Sequence, residues 1–458
     1  MARPPHHHRR RPSSPPPPPF DNKDPVTVDG PGFAQPQPTP DPKSFRIPHP
    51  SDSQAYAQID ALNRAHRLGP MPFPAPRDLP EPTLTLAQIL GDDGDDVIKQ
   101  ITKAGRLVFH SVGDTGSTKG PDDQSLVADK MTADFEDEDP ENLPRFFFHL
   151  GDVIYNFGER EYYYDQFYEP YRDYPAPILA LAGNHDGMVA PGDTTSTLAA
   201  FLDNFCSEHF EVRPEAGGLS RTAQIQPGVF FTFEAPMLRI LALYSNVLED
   251  PGVIASDEIG DSQLEYLKAA LNRVKTEKFN GALILAHHHP AFTVGSKHGW
   301  SEDMRKQIDD ICADAKVWPH AVLSAHAHNY QRFTREHQGM EIPYVVAGNG
   351  GHNVTRLKRS KKAGGPPTKS ADSSETGGAS RYESPYRAPT VIQEASRGND
   401  LVKLDNYDDQ DFGYLRVVVT DEQLRIEYHP ASDTGAAKTP DDIVAVDLKS
   451  RKLVAPKP

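Results

Sequence analysis

The stretch "LAGNHDG", residues 181–187, follows the apolar run "PAPILA" at 175–180. A segment of strand length stops at Gly183 and then presents Asn184, His185 and Asp186, three polar side chains in succession. Polar groups are costly to bury unless each finds a partner, so this strand end must face something polar. In α/β sheets that place is the crevice outside the carboxyl ends of the strands, where ligands bind.

The same event recurs along the chain. "RLVFHSVGDTG" delivers Asp114, and "RFFFHLGDVIY" delivers Asp152 and Tyr155. "GALILAHHHP" delivers His287, His288 and His289, "HAVLSAHAHNY" delivers His326 and His328, and "IPYVVAGNGGH" delivers Asn349 and His352. A single "GD" is an ordinary turn, and "HAH" alone is only suggestive, although side chains two apart on an extended segment share a side. The ordered series, each member placed after an apolar strand, carries the chemistry. Oxygen and nitrogen donors without thiolate suit zinc, iron or manganese. They exceed the needs of one four-coordinate cation, and two cations sharing a bridging carboxylate account for the surplus. Cations about 3.5–4 Å apart can clamp the attacking and leaving oxygens of a phosphoryl displacement.

With these residues in view, the series resembles the calcineurin-like metallophosphoesterase superfamily over about 105–352, with the strands at 413–430. "GDTG", "GDVIY", "GNHD", "ILAHHHP" and "AHAH" are most similar to its purple acid phosphatase branch. The resemblance implies an α/β fold, a β-sandwich flanked by helices, with a dinuclear centre at the strand ends. It implies two divalent or trivalent metal ions, iron paired with zinc, manganese or iron. Asp114 and His328 would hold the first, Asp152 would bridge both, and Asn184 and His326 would hold the second. One histidine of the run joins the second. The branch's His-x-Pro pattern selects His288, and the register stays open to His287. Tyr155 falls where the branch puts a tyrosinate on ferric iron, and Gly116 stands where many relatives carry a histidine; a packed aromatic at Tyr155 is the alternative. His185 would face substrate as a charge stabiliser or proton donor, with Asp186 orienting its ring. Ala325 departs from the usual glycine of the last motif. His110 and His149, inside apolar runs, read as core histidines.

The implied activity is phosphoester hydrolysis: hydroxide generated on a metal attacks phosphorus in line, on a small-molecule phosphoester. The alternatives are a phosphodiesterase acting on a nucleotide or lipid headgroup, and a non-catalytic binding module, whose signature would be lost ligands.

Around this core, residues 1–50 hold sixteen of the 44 prolines and read as a disordered tail. Residues 51–104 read as a helical and proline-rich extension, with helices over 51–66 and 85–104. The core spans 105–354. The polar stretch 355–400 reads as a flexible insert, and 401–458 as closing strands, "YLRVVVT", "LRIEYH" and "IVAVDL", with a tail. "DSQLEYLKAALNRV" places Leu264, Leu267, Leu271 and Val274 on one helix face, capped by Asp261 or Ser262. "SEDMRKQIDDICADA" repeats the design with Met304, Ile308 and Ile311.

The net charge of −17 opposes non-specific nucleic-acid binding, which wants a basic surface. Cys206 and Cys312 allow no disulfide framework and read as buried free thiols. No run is long enough to span a bilayer, and the basic N-terminus lacks the apolar core of a secretory signal. A cytoplasmic location is the expectation. The sequence leaves the oligomeric state open.

Overall fold

The strands read from the sequence form, and they divide between two sheets. The computed structural model describes residues 24–35, 45–49, 53–295, 297–357, 390–394, 398–431 and 439–457. One sheet runs in the order Leu453–Val454, Asp442–Asp447, Gln423–Pro430, Gly413–Thr420, Arg106–Val112, Phe147–His149, Ile178–Ala180. The other runs Thr390–Glu394, Gly398–Asp408, Tyr330–His337, Met340–Ala347, Ala321–Ser324, Ala282–His287, Leu238–Leu243, Phe231–Ala235, Thr83–Thr85.

Side chains alternate across a strand, and here both faces are apolar. Phe109, Phe148, Leu179, Leu415 and Val417 from one sheet meet Ile240, Ala242, Ile284, Ala286 and Leu323 from the other in one buried cluster. Their neighbours along the strands, Phe147, Ile178, Leu241, Leu243, Leu283 and Leu285, belong to a second cluster with the helices. Those helices are Asp122–Thr132, Ser262–Thr276 and Glu302–Ala315. The fold is therefore an α/β sandwich of two stacked sheets with helices outside, which is why the strands read as near-continuous apolar runs. Leu267, Leu271, Val274, Met304 and Ile308 are buried as expected, while Leu264 and Ile311 are partly covered. Asp261 stands at the cap position, but its side chain makes no capping hydrogen bond.

Strand register positions the site. In the first sheet Val112, His149 and Ala180 lie side by side across parallel strands. In the second, Leu243 pairs with His287, Leu323 with Ala286, and Ser324 with Val346. The polar motifs follow immediately after these positions, so they emerge together along one edge of the sandwich.

Some expectations change. Thr83–Thr85, within an extension read as lacking strands, forms the edge strand beside Phe231–Ala235. Three residues are too few to show a period. Within the expected tail, Val26–Thr27 pairs with Glu211–Val212, and the N–H of Gln35 donates to the Arg172 carbonyl at 2.7 Å. The end of the expected insert, Thr390–Glu394 with Gly398–Asp408, is a strand pair of the larger sheet; residues 358–389 lie outside the described residues, as does the histidine run at 6–8. Both cysteines are free, Cys312 buried and Cys206 half-buried. His110 and His149 are fully buried. No helix among the described residues is long and apolar enough to cross a membrane.

Candidate metal centre

At the shared edge, Asp114, Asp152, Asn184, His288, His326 and His328 come together, each at most 2 % exposed. Two groups of potential ligands share Asp152. Asp114, Asp152 and His328 form one; Asp152, His288 and His326 form the other, with ligand atoms within 4.8 Å of one another in each. His288 Nε2 lies 3.2 Å from Asp152 Oδ2 and 3.1 Å from Asn184 Oδ1. His328 Nε2 lies 3.3 Å from Asp114 Oδ1. The Tyr155 hydroxyl donates to Asp114 Oδ1 and Asp152 Oδ2, both at 3.0 Å, and lies 3.3 Å from His328 Nε2.

The backbone is bent to achieve this. Asp114 and Asp152 have φ of 55°, His326 64° and His328 44°. Non-glycine residues avoid this left-handed region, and such strain persists where the surroundings over-determine it, commonly at functional sites. Asp186 supplies part of that determination. Its carboxylate accepts the N–H groups of Val153 (3.0 Å), Ile154 (3.1 Å) and Gly183 (2.9 Å), tying the second motif to the third. A Cβ on Gly183 would overlap Asp152 Oδ1, so only glycine lets these loops approach.

The outer hydrogen bonds decide which imidazole nitrogen is left to face a ligand. Carbonyl oxygens only accept, so the partnered nitrogen carries hydrogen. His288 Nδ1 donates to Leu150 O at 2.8 Å, which aims Nε2 at Asp152. His326 Nε2 donates to Glu249 O at 2.6 Å, leaving Nδ1 buried without a partner. His328 Nδ1 is paired to Asn353 Oδ1 at 2.8 Å. A ring fixed by its far nitrogen, with the other nitrogen turned inward, is the usual arrangement of metal-ligating histidine. Asn184 is oriented likewise: its Nδ2 donates to Glu249 Oε2 at 3.1 Å, turning Oδ1 toward His288. Asp250, His298 and His326 also approach one another, but the His326 nitrogen nearest Asp250 is the one engaged by Glu249 O.

The electrostatics suit cations. Burial opposes charge on Asp152, yet His288 and His185 hold its carboxyl well below the usual range. Burial likewise pushes the His288 imidazolium down, but the Asp152 and Asp114 carboxylates outweigh it and raise its pKa to about 9. Burial, then those two carboxylates, push the Tyr155 phenol well up. With two buried carboxylates side by side, a proton on His288 stands where a cation's charge would serve. The donor set, the bare Nδ1 of His326 and the outer anchors together fit bound metal.

Most sequence-predicted residues meet here; His287 and Asn349 do not, and Asp186 takes another part than expected. His287 turns away, its Nδ1 bonded to the His289 carbonyl at 2.6 Å and its Nε2 buried without a partner; period-2 alternation puts it opposite His288. Asp186 does not orient the His185 ring, since its oxygens serve backbone N–H groups. That ring donates from Nδ1 to Asn156 O at 2.8 Å instead. His352 stacks on Tyr155 with centroids 3.6 Å apart, while Asn349 is structural, bonded to Asp411 O and Tyr428.

Other residues were not legible in the motif series. Glu249 follows the strand "LRILAL", and extending the strand-end reading to that strand would have found it. His298, 5 % exposed with both ring nitrogens unpaired, lies with its ring 4.3 Å from that of His326 and 5.0 Å from that of His328. No spacing marks it. Ala325, in place of glycine, is accommodated by Gly113: a Cβ there would lie 2.6 Å from the Ala325 methyl.

Comparison with known proteins gives one family match and several distant structural likenesses. The family model described as calcineurin-like phosphoesterase matches residues 111–330. No curated protein matches the sequence. Among solved structures, GAP50, the anchor in the inner membrane complex of Plasmodium, is 13% identical over 73% of this chain and 89% of its own, with a TM-score of 0.44. PhoD is 15% identical over 76% and 71%, with a TM-score of 0.42. A dimetal phosphatase from Danio rerio is 9% identical over 71% and 96%, with a TM-score of 0.38. The stretch similar to that family, 111–330, holds Asp114, Asp152, Asn184, His288, His326 and His328.

Proposed function

We propose that this chain is a metal-dependent phosphomonoesterase with a dinuclear centre. The observation that carries the reading is the sharing of Asp152 between two groups of ligand atoms. Asp114, His328 and Tyr155 would hold the first cation, Asn184, His288 and His326 the second, and Asp152 would serve both. When bound, the cations supply the positive charge that makes coordinated water acidic near neutral pH and draws charge from the phosphoryl oxygens. The Tyr155 phenol, set among Asp114, Asp152 and His328, favours iron at the first position, as in the purple acid phosphatase branch.

The remaining work falls to the chain. His185 N–H donates to Asp152 Oδ1 at 2.9 Å, which fixes its backbone beside the centre. Its Nδ1 is committed to Asn156 O, so Nε2 is the atom left to hold or donate a proton at the leaving oxygen. His298, a buried imidazole with unpaired nitrogens, supplies a hydrogen bond to a phosphoryl oxygen. Burial and the nearby His326 and His328 keep its pKa well below the usual value, so it acts as a neutral group.

The test is phosphate release from glycerol 3-phosphate compared with cleavage of its methyl diester, after chelation and restoration of iron, manganese or zinc. Metal-dependent preference for the monoester supports the reading. Preference for the diester replaces it with a phosphodiesterase, and no turnover with any metal points to a binding module.

A further inference from the structure

The centre is roofed by a segment outside residues 111–330, the stretch the family model matches. Helix Ser53–Arg64 lies across it. The Tyr56 ring stacks on His185, centroids 5.4 Å apart and planes 30° apart, and its hydroxyl donates to Glu249 Oε1. Glu249 is the residue whose other oxygen holds the Asn184 amide. Tyr56 therefore reaches from the proton-donor side of the centre to the second-cation side.

The roof is secured at both ends. Upstream, His49 Nε2 donates to the Tyr155 carbonyl at 3.1 Å, and the Arg46 and Ile47 N–H groups donate to Asp165 at 2.7 and 3.0 Å. Downstream, the Met71 N–H and carbonyl both pair with the Asn246 side-chain amide, at 2.7 and 2.9 Å. Between them, Ile59 is buried with Phe157, Met188 and Val247 on the loops that follow the ligand motifs. With the segment in place His185 is only 5 % exposed. Tyr155 covers one side of its ring at 4.2 Å between centroids, and Tyr56 approaches from another.

We propose that Tyr56 is a specificity-determining residue: its ring walls the leaving-group side of the centre and restricts the substrate to phosphate esters of small alcohols. This rests on the phosphomonoesterase reading, in which His185 faces the leaving oxygen. Whatever is attached to that oxygen must then share space with Tyr56. A bulky aromatic group collides with the ring, and rejection by collision is an economical route to selectivity.

The experiment has two readouts on metal-loaded protein. The first is the ratio of kcat/KM for glycerol 3-phosphate to that for 1-naphthyl phosphate. The second, independent of turnover, is the ratio of affinities for methylphosphonate and 1-naphthylmethylphosphonate by calorimetry. Tyr56→Ala is expected to shift both ratios toward the naphthyl compound by at least about tenfold, through KM more than kcat. Tyr56→Phe keeps the ring and is expected to keep the wild-type ratios, which a merely structural hydroxyl contact would not do. Wild-type protein that accepts both sizes equally, or Tyr56→Ala that leaves both ratios unchanged, overturns the assignment while leaving the phosphatase reading intact. Absence of both phosphonate binding and ester turnover overturns the phosphatase reading, and the role of Tyr56 with it.

Discussion

Asp152 Oδ2 lies 3.2 Å from Nε2 of His288, and the two are fully buried. The carboxylate belongs to both groups of candidate ligands, and the imidazole is anchored behind by the Leu150 carbonyl. The pair is the hinge of the electrostatic account, because a proton and a cation compete for the same nitrogen.

Metal uptake should release a proton. The His288 pKa of about 9 in the metal-free chain stands above the ordinary 6.5. The pair with Asp152 therefore stabilises the metal-free fold fully below about pH 6.5 and loses that contribution as the pH rises through about 9. Metal affinity runs the opposite way, strengthening over that window as the competing proton leaves. Zinc titration calorimetry at about pH 7, in buffers of different ionisation enthalpy, should read about one proton released for the ion that takes His288. An affinity that does not change across the window contradicts the account.

Glu249 is expected to act on the metal through Asn184. Residues that orient ligands typically cost roughly 10–100-fold in metal affinity when lost. Glu249→Ala should fall in that range, and Glu249→Gln, which keeps an accepting oxygen, should lose less. Zinc dissociation constants equal to wild type in both variants would show that Asn184 is held some other way.

The proposed centre gives the histidines of the run different parts. His288→Ala should weaken metal binding by more than about 100-fold, since it removes a direct ligand rather than a supporting contact. His287→Ala should retain metal and lower thermal stability instead, because its ring fills space in the buried strand. The reverse pattern in metal content would place the ligand at His287.

Gly113 and Ala325 form a packing pair. Gly113→Ala brings two methyl carbons to 2.6 Å and should cost about 1–3 kcal/mol by overpacking. Ala325→Gly in the same chain removes one of them and should recover part of that loss. Denaturant midpoints for the two singles and the double decide it, and strict additivity would rule the contact out.

Much of the centre was legible because strand ends announce themselves. Apolar runs such as "APILALA" and "GALILAH" stop at polar clusters, and parallel register carries those clusters to one edge. Alternation alone separates His288 from His287 once the strand is known to end at His287. What stayed hidden depends on contacts distant in sequence. Tyr56 and Glu249 meet across 193 positions. The carboxylate of Asp186 turned out to brace backbone rather than a ring, a choice that "GNHD" does not encode. The edge strand Thr83–Thr85 is too short to show a period.

Counting metal decides whether two cations share Asp152. Purified chain reloaded with iron and zinc, freed of loose metal and analysed for elemental content, should hold two ions per chain. Asp152→Ala, prepared identically and shown to be folded, should hold fewer and lose turnover by roughly 10³-fold or more. Wild-type protein with one ion at saturation, or Asp152→Ala that keeps two ions and its activity, would contradict the account.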